Sequence, residues 1–402
     1  MRQTDSGWVG SYEIPDLILY REPLTDLSIA GDTISFHLFW GTFSCLLHNQ
    51  IGEITGENRD WNPPVSIHLK RRPDPHLPNI EPVRFPSDSL LLYGDLLLPD
   101  CHPPYPAVVV IEGSTTEGRQ LWTYRSIGDL FARNGIAALV YDKRGAGQSD
   151  GNIDSVTFND LASYVVSAVQ YLTTRDDIDS ESIGLFGISQ GGWLAPLGAN
   201  RSGKVSFVIM LAGPAVSIWQ QELHRVEYSM RAGLYGEDEP DVFSETEIAA
   251  AMAHSRLGFE AAQDPQMWAD WKASVSTAEK ASWADYVNLD STREDLEGWL
   301  RFRYDPGETL RKTTIPVLAL FGDADVFVPP VENVPLLERY LSEAGNEEFR
   351  IVTFPNVGHD FFTGATLVGG EWSWPTGYWR WNRRAIGLAD TIVTWTRRQV
   401  QR

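Results

Sequence analysis

Five apolar runs, interleaved with helical stretches, constrain this chain more than any other feature. They stand at 107–111, 136–141, 182–186, 205–211 and 315–321. A strand wetted on one face alternates polar and apolar residues, whereas a near-continuous apolar run is a strand buried on both faces. Between the runs, apolar residues recur at helical spacing over 122–134, which Gly135 closes, and over 158–172 and 190–199. Parallel strands need a crossover, usually a helix, so this alternation predicts a mainly parallel sheet covered by helices. A strand at 90–98 precedes the series. One at 349–354 and a closing helix over about 378–398 end it.

Two regions break the rhythm. Residues 214–310 carry no buried strand run and are rich in Ala, Glu, Asp and Trp. They are expected to form a helical insertion, a lid over the sheet's C-terminal edge, with Trp219, Trp268, Trp271, Trp283 and Trp299 packed between its helices. Residues 1–80 show short alternating runs at 17–20, 24–29, 33–39, 43–47 and 65–69, with turn signals at Gly31-Asp32, His48-Asn49 and Asn62-Pro63-Pro64. Period two with close turns predicts a small antiparallel β-domain. A Pro-rich stretch at 72–78 reads as a linker. The expected catalytic domain is then 81–213 together with 311–402.

Composition narrows the function. The 402 residues include 33 basic and 54 acidic ones, a net charge of −21. Nucleic-acid binding needs basic stripes against phosphates, so that class is excluded. No run of about 18 apolar residues occurs, so no membrane span is expected, and the N-terminus lacks the apolar core of a signal peptide. Two cysteines, Cys45 and Cys101, make no disulfide framework and no metal spacing. His37, His48 and His68 also lack ligand spacing. A cytoplasmic protein without metal or cofactor is the simplest expectation. Nothing in the sequence sets an oligomeric state.

The chemistry concentrates at Gly187-Ile188-Ser189-Gln190-Gly191, a G-x-S-x-G between a buried strand and a helix. A serine on so tight a turn projects its hydroxyl from the sheet edge, and glycines are required where side chains would strike neighbouring backbone. Ser189 is the candidate nucleophile. A serine hydroxyl needs a base, and the base an orienting carboxylate. Asp325 follows the strand at 315–321 and is the expected acid, with Asp323 the alternative. His359 follows the strand at 349–354 and is the expected base. Asp360 is expected to be a helix cap or surface charge. The oxyanion needs backbone N–H donors: Gln190, directly after the nucleophile, and Ser114 in the loop after the first buried strand, with Gly113 the alternative. Residues 361–379 either wall a pocket or pack under the last helix.

The strand ending in Glu112-Gly113-Ser114, the loop Asp142-Lys143-Arg144-Gly145-Ala146-Gly147-Gln148-Ser149, the serine elbow, Gly322-Asp323-Ala324-Asp325 and Gly358-His359 together resemble the α/β-hydrolase superfamily. The segment Leu92-Tyr93-Gly94-Asp95-Leu96-Leu97-Leu98-Pro99 and the D-K-R-G-x-G-x-S loop resemble, more narrowly, bacterial carboxylesterases allied to the dienelactone-hydrolase and prolyl-oligopeptidase groups. The likeness spans about 81–213 and 311–400. It implies an α/β-hydrolase fold and structural roles for Asp142, Arg144 and Ser149. Many relatives carry His where this chain has Glu112. A carboxylate there either bonds loop amides or deters anionic substrates.

The expected function is cofactor-free hydrolysis of a small-molecule ester through an acyl-enzyme, with activity falling below about pH 6 as His359 protonates. A serine peptidase or amidase using the same residues is the alternative. The N-terminal region is too short for the propeller of prolyl oligopeptidases, which weighs against it. A non-enzymatic scaffold would have no need of the serine, acid and histidine.

Overall fold

The computed structural model describes residues 1–5, 7–14, 18–38, 41–48, 50–58, 64–70, 78–153, 156–232, 242–290, 292–298, 303–363, 366–368, 371–373 and 384–401. One eight-stranded sheet organises the chain: β1 (Asn79–Ser87), β2 (Leu90–Leu98), β3 (Tyr105–Ile111), β4 (Ala137–Tyr141), β5 (Ile178–Ile188), β6 (Phe207–Leu211), β7 (Val317–Gly322) and β8 (Phe349–Phe354). The strand order is β1-β2-β4-β3-β5-β6-β7-β8. β2 pairs antiparallel with β1 and β4, and every later pair is parallel. This is the parallel sheet with helical cover expected of an α/β hydrolase.

Helices cover both faces. α1 (Trp122–Ala132), α2 (Phe158–Thr173), α3 (Gln190–Ser202), α9 (Pro330–Glu343) and α10 (Leu388–Val400) belong to the layered body, while α4 (Ile218–Ala232), α5 (Glu245–Gln263), α6 (Trp268–Ala278), α7 (Arg293–Gly298) and α8 (Pro306–Leu310) fall between β6 and β7. The pleat sorts the β3 side chains. Ala107, Val109 and Ile111 face a core shared with Leu161 and Val165 of α2, Leu194 of α3 and Leu337 of α9. Val108 and Val110 face the other, shared with Ile127 and Phe131 of α1 and Ile392 and Trp395 of α10. Burial on both faces is why these strands read as unbroken apolar runs.

Several elements differ from the sequence reading. β1 is missing from it, because Pro82 and Pro86 lie in the strand. Proline donates no ladder bond, but β1 is an edge strand and tolerates it. The closing helix starts at Leu388, not near 378, since Gly387 turns left-handed at φ +80°. Residues 374–383 and the stretch 71–77 of the expected linker lie outside the described residues. Among the insertion's tryptophans, Trp271 and Trp283 are buried, while Trp219 is 44% exposed and meets the Phe259 ring of α5 at 6.1 Å between centroids. Trp299 lies outside the described residues.

The insertion has its own apolar cluster, with Leu223, Val226, Met230, Ile248, Trp283 and Tyr286. α8 instead sends Leu310 into the core that α2 covers. Before the large sheet, a five-stranded antiparallel sheet runs in sequence order from Thr25–Ala30 through Thr33–Leu38, Gly41–His48 and Glu53–Asn58 to Val65–Lys70. Ile34, Phe36, Phe43 and Cys45 form its core. Ahead of it, a hairpin of Ser11–Ile14 and Leu19–Pro23 docks on α1. Ile18 is buried in the core beneath α1 and α10, Glu13 and Glu22 pair with Arg133 and Arg125, and the Arg133 guanidinium lies 4.5 Å over the Tyr20 ring. No described helix is long and apolar enough to cross a membrane.

Candidate active site

The chain leaves β3 for β4 on one side and places β5 on the other. The loops after β3 and β5 therefore separate at a switch in strand order, where open α/β sheets form ligand crevices. The pairing Ile111↔Gly187 brings those two strand ends level. Glu112-Gly113-Ser114 leaves one, and Ser189 leaves the other.

Ser189 sits between β5 and α3 at φ 52°, ψ −115°. A non-glycine residue held in so sparse a region is strained and needs its surroundings to impose it. Its N–H donates to the Leu211 carbonyl at 2.9 Å, and its carbonyl accepts from the Gly192 N–H at 2.8 Å. A Cβ on Gly187 would stand 2.0 Å from the Gly191 oxygen, and one on Gly191 would stand 2.5 Å from the Ile111 oxygen. Both positions admit only glycine, which is the physical content of the G-x-S-x-G spacing.

The structure brings Ser189, His359 and Asp325 together. His359 Nε2 lies 3.0 Å from Ser189 Oγ, and His359 Nδ1 lies 2.8 Å from Asp325 Oδ2. The remaining Asp325 oxygen accepts the N–H groups of Phe327 and Val328 at 2.9 and 2.8 Å. Asp325 is wholly buried, while the His359 side chain keeps 18% exposure. A carboxylate on Nδ1 selects the tautomer whose Nε2 can accept the serine proton. Burial alone would draw the His359 pKa down. The charge and hydrogen bond of Asp325, with the charge of Asp360, outweigh it and raise the pKa above its ordinary value. The Phe327 ring meets the imidazole edge-on at 5.3 Å between centroids. Asp323, the alternative acid, has an exposed side chain. Asp360 begins no helix; its carbonyl accepts from Arg384.

Gln190 is the first residue of α3. Its N–H has no carbonyl within the helix to receive it. Ser114 is exposed at the end of the β3 loop. The Gly113 N–H is already committed, donating to the Tyr124 hydroxyl at 2.9 Å, and Tyr124 also bonds Thr115 Oγ1 at 2.8 Å. Of the two candidate donors in this loop, Gly113 therefore has its N–H occupied. Glu112 is buried, and its carboxylate accepts the Lys143 N–H at 3.3 Å with Lys143 Nζ at 4.0 Å. Burial pushes the Glu112 pKa up to about 7 despite that ammonium. Desolvation draws Lys143 down.

Asp142 is fully buried and accepts the N–H groups of Arg119 at 2.8 Å and Gln148 at 2.9 Å, with the Arg119 guanidinium closing the cluster. Ser149 Oγ donates to the Asp142 carbonyl at 2.7 Å and accepts the Tyr93 N–H at 2.9 Å. Arg144 reaches the Tyr164 hydroxyl of α2. These contacts brace the loop beside the crevice. Phe361 packs, fully buried, against Phe354, and Phe362 lies against Trp122 and Arg384. Sequence reasoning missed Tyr124, Lys143 and Phe327 as neighbours of the site. Tyr124 carries a core residue's helical spacing, and only its buried hydroxyl reveals its contact. Among the described residues no group of three or more His, Cys, Asp or Glu side chains is set to hold a metal.

Comparison with known proteins agrees with this architecture. Esterase EstD of Thermotoga maritima is 22% identical over 311 residues, which span 76% of this chain and 65% of that protein. Thiohydrolase aneE of Aspergillus aculeatus is 28% identical over 140 residues, 34% of this chain and 42% of that one. The chain thus spans less than two thirds of either relative. The structure of DcsB in complex with its substrate analogue superposes with a TM-score of 0.50 at 17% identity, over 80% of this chain and 99% of that one, a likeness of fold. A family model, serine aminopeptidase, S33, matches residues 102–364. That span holds both strand ends of the crevice and all of Ser189, Asp325 and His359, and the chain belongs to that family of α/β hydrolases.

Proposed function

We propose that this hydrolase is a serine carboxylesterase working through an acyl-enzyme. The observation that carries the reading is the unbroken relay from the buried Asp325 carboxylate through His359 to Ser189 Oγ, at 2.8 and 3.0 Å. In this reading Ser189 Oγ attacks the ester carbonyl carbon and His359 Nε2 takes the hydroxyl proton. The carbonyl oxygen becomes an oxyanion held by the N–H groups of Gln190 and Ser114. The C–O bond to the alcohol breaks, and His359 gives its proton to the departing oxygen. Water then attacks the acyl carbon, His359 takes its proton, and Ser189 leaves with that proton restored. No cofactor takes part. Helices α4–α7 are the cap over the crevice, and the free thiols Cys45 and Cys101 suit a cytoplasmic setting.

Ser189→Ala is expected to lower turnover of a short p-nitrophenyl ester by about 10⁴-fold or more, with circular dichroism unchanged. Turnover retained by that variant overturns the reading. The family's description as an aminopeptidase favours a second one, in which the same residues cleave amides. Matched ester and anilide substrates of one acyl group separate the two. The ester is expected to be cleaved at least about tenfold faster in kcat/KM; an anilide cleaved as fast or faster makes the chain a peptidase.

A further inference from the structure

Resting on the serine-hydrolase reading, we propose that Lys143 is a positioning residue that aims the Ser114 N–H at the oxyanion by gripping the other end of the same peptide unit. The carbonyl of Gly113 and the N–H of Ser114 belong to one planar trans peptide and point in opposite directions. Lys143 Nζ donates to that carbonyl at 3.1 Å. Its side chain is 7% exposed, so the grip comes from the buried side, whereas Ser114 lies exposed. The preceding peptide is held as well, by the bond from the Gly113 N–H to Tyr124. Gly113 is also close to the nucleophile, since a Cβ on it would lie 3.5 Å from the Ser189 Cβ.

This arrangement answers a physical need. A glycine peptide on an open loop rotates easily, and rotating this one would present a carbonyl, not an N–H, to a developing negative charge. Lys143 prevents that turn. Glu112 lies beside this ammonium at 4.0 Å and accepts the Lys143 backbone N–H at 3.3 Å, but the grip on the Gly113 carbonyl is made by Lys143 Nζ itself. The interaction touches neither substrate nor nucleophile, so its effect is confined to the transition state, where the oxyanion exists.

The test measures kcat, KM and the Ki of a boronic acid that forms a tetrahedral adduct at the serine. Lys143→Met is expected to lower kcat by about 10- to 100-fold, somewhat less than outright loss of an oxyanion donor. KM should stay within about twofold, and boronate affinity should weaken by the same factor as kcat. Lys143→Arg should recover part of both. If Lys143→Met alone does not fold, the double variant Glu112→Met with Lys143→Met, which leaves no orphan charge, carries the same expectation. Glu112→Gln removes the neighbouring carboxylate but not the grip, and its kcat and boronate Ki should stay within about threefold of the parent, well short of the loss expected for Lys143→Met. Unchanged kcat in the lysine variants overturns the proposal, as does an equal loss in Glu112→Gln, which would assign the effect to the ion pair. Ser189→Ala in the same assay separates the two levels. If it is active, the serine reading itself falls; if it is dead while Lys143→Met matches the parent, only the positioning role falls.

Discussion

At the scale of single residues, the site is a contest between burial and charge. His359 is enclosed enough for desolvation to favour its neutral form, yet Asp325 holds its proton more strongly than burial expels it. The sign for catalysis follows. The base works only when neutral, so a raised pKa moves the acid limb of kcat/KM above the ordinary imidazole value of 6.5, higher than the pH 6 limit the sequence suggests. A pH profile on the free enzyme checks this, and a midpoint below 6.5 contradicts it. Asp325→Asn removes the charge that lifts the pKa and leaves the burial that lowers it. The limb should therefore move to lower pH, while kcat falls by about 10³- to 10⁴-fold through loss of the correct tautomer. An acid limb unmoved in that variant would show that Asp325 does not set the histidine's proton affinity.

At the scale of elements, the turn between β5 and α3 is the most constrained piece of backbone in the site. Gly187→Ala would drive a methyl onto the Gly191 carbonyl at the tightest point of the elbow. A loss of about 2 kcal/mol or more is expected from such overpacking, read as a lower midpoint in urea denaturation; an unchanged midpoint would mean the elbow is looser than its geometry. This turn, and the strands that frame it, were legible in the sequence because each reports a local constraint. Strands buried on both faces must be apolar throughout, and an elbow this tight must carry glycines. Other elements answer to neighbours that the sequence does not name. β1 holds two prolines and becomes a strand only because β2 offers it an edge. Glu53–Asn58 is polar and pairs because strands flank it on both sides. The start of α10 is set by the backbone at Gly387, not by apolar spacing. The contacts of Lys143 and Tyr124 with the Gly113 peptide were hidden for the same reason, since they join residues from separate loops and helices. The order of serine, acid and histidine could be read, because each follows a strand of the large sheet, but the distances among them come from the sheet's register.

At the scale of the whole molecule, the residues before the large sheet are more than an appendage. The Ser11–Ile14 and Leu19–Pro23 hairpin seats Ile18 in the core under α1 and α10, with two arginine–glutamate pairs at its rim. α1 begins just beyond the loop that follows β3 and carries Tyr124. The hairpin thus backs the helix that holds that loop. Ile18→Ala is expected to destabilise the protein by about 2 kcal/mol, the usual cost of a partly collapsed cavity at a buried aliphatic side chain. The change should appear as one cooperative transition shifted to lower urea. A separate early transition, with the midpoint of the main one unmoved, would mean that the hairpin unfolds independently of the catalytic sheet.

The most direct measurement is the site of covalent capture by a fluorophosphonate, which reports an activated serine hydroxyl regardless of substrate preference. Intact-mass and peptide-mapping spectrometry on the native protein should find a single adduct, on Ser189, absent from His359→Ala. An adduct on another residue, or labelling of Ser189 that persists without His359 at the parent rate, would contradict the assignment of this serine and this histidine as nucleophile and base.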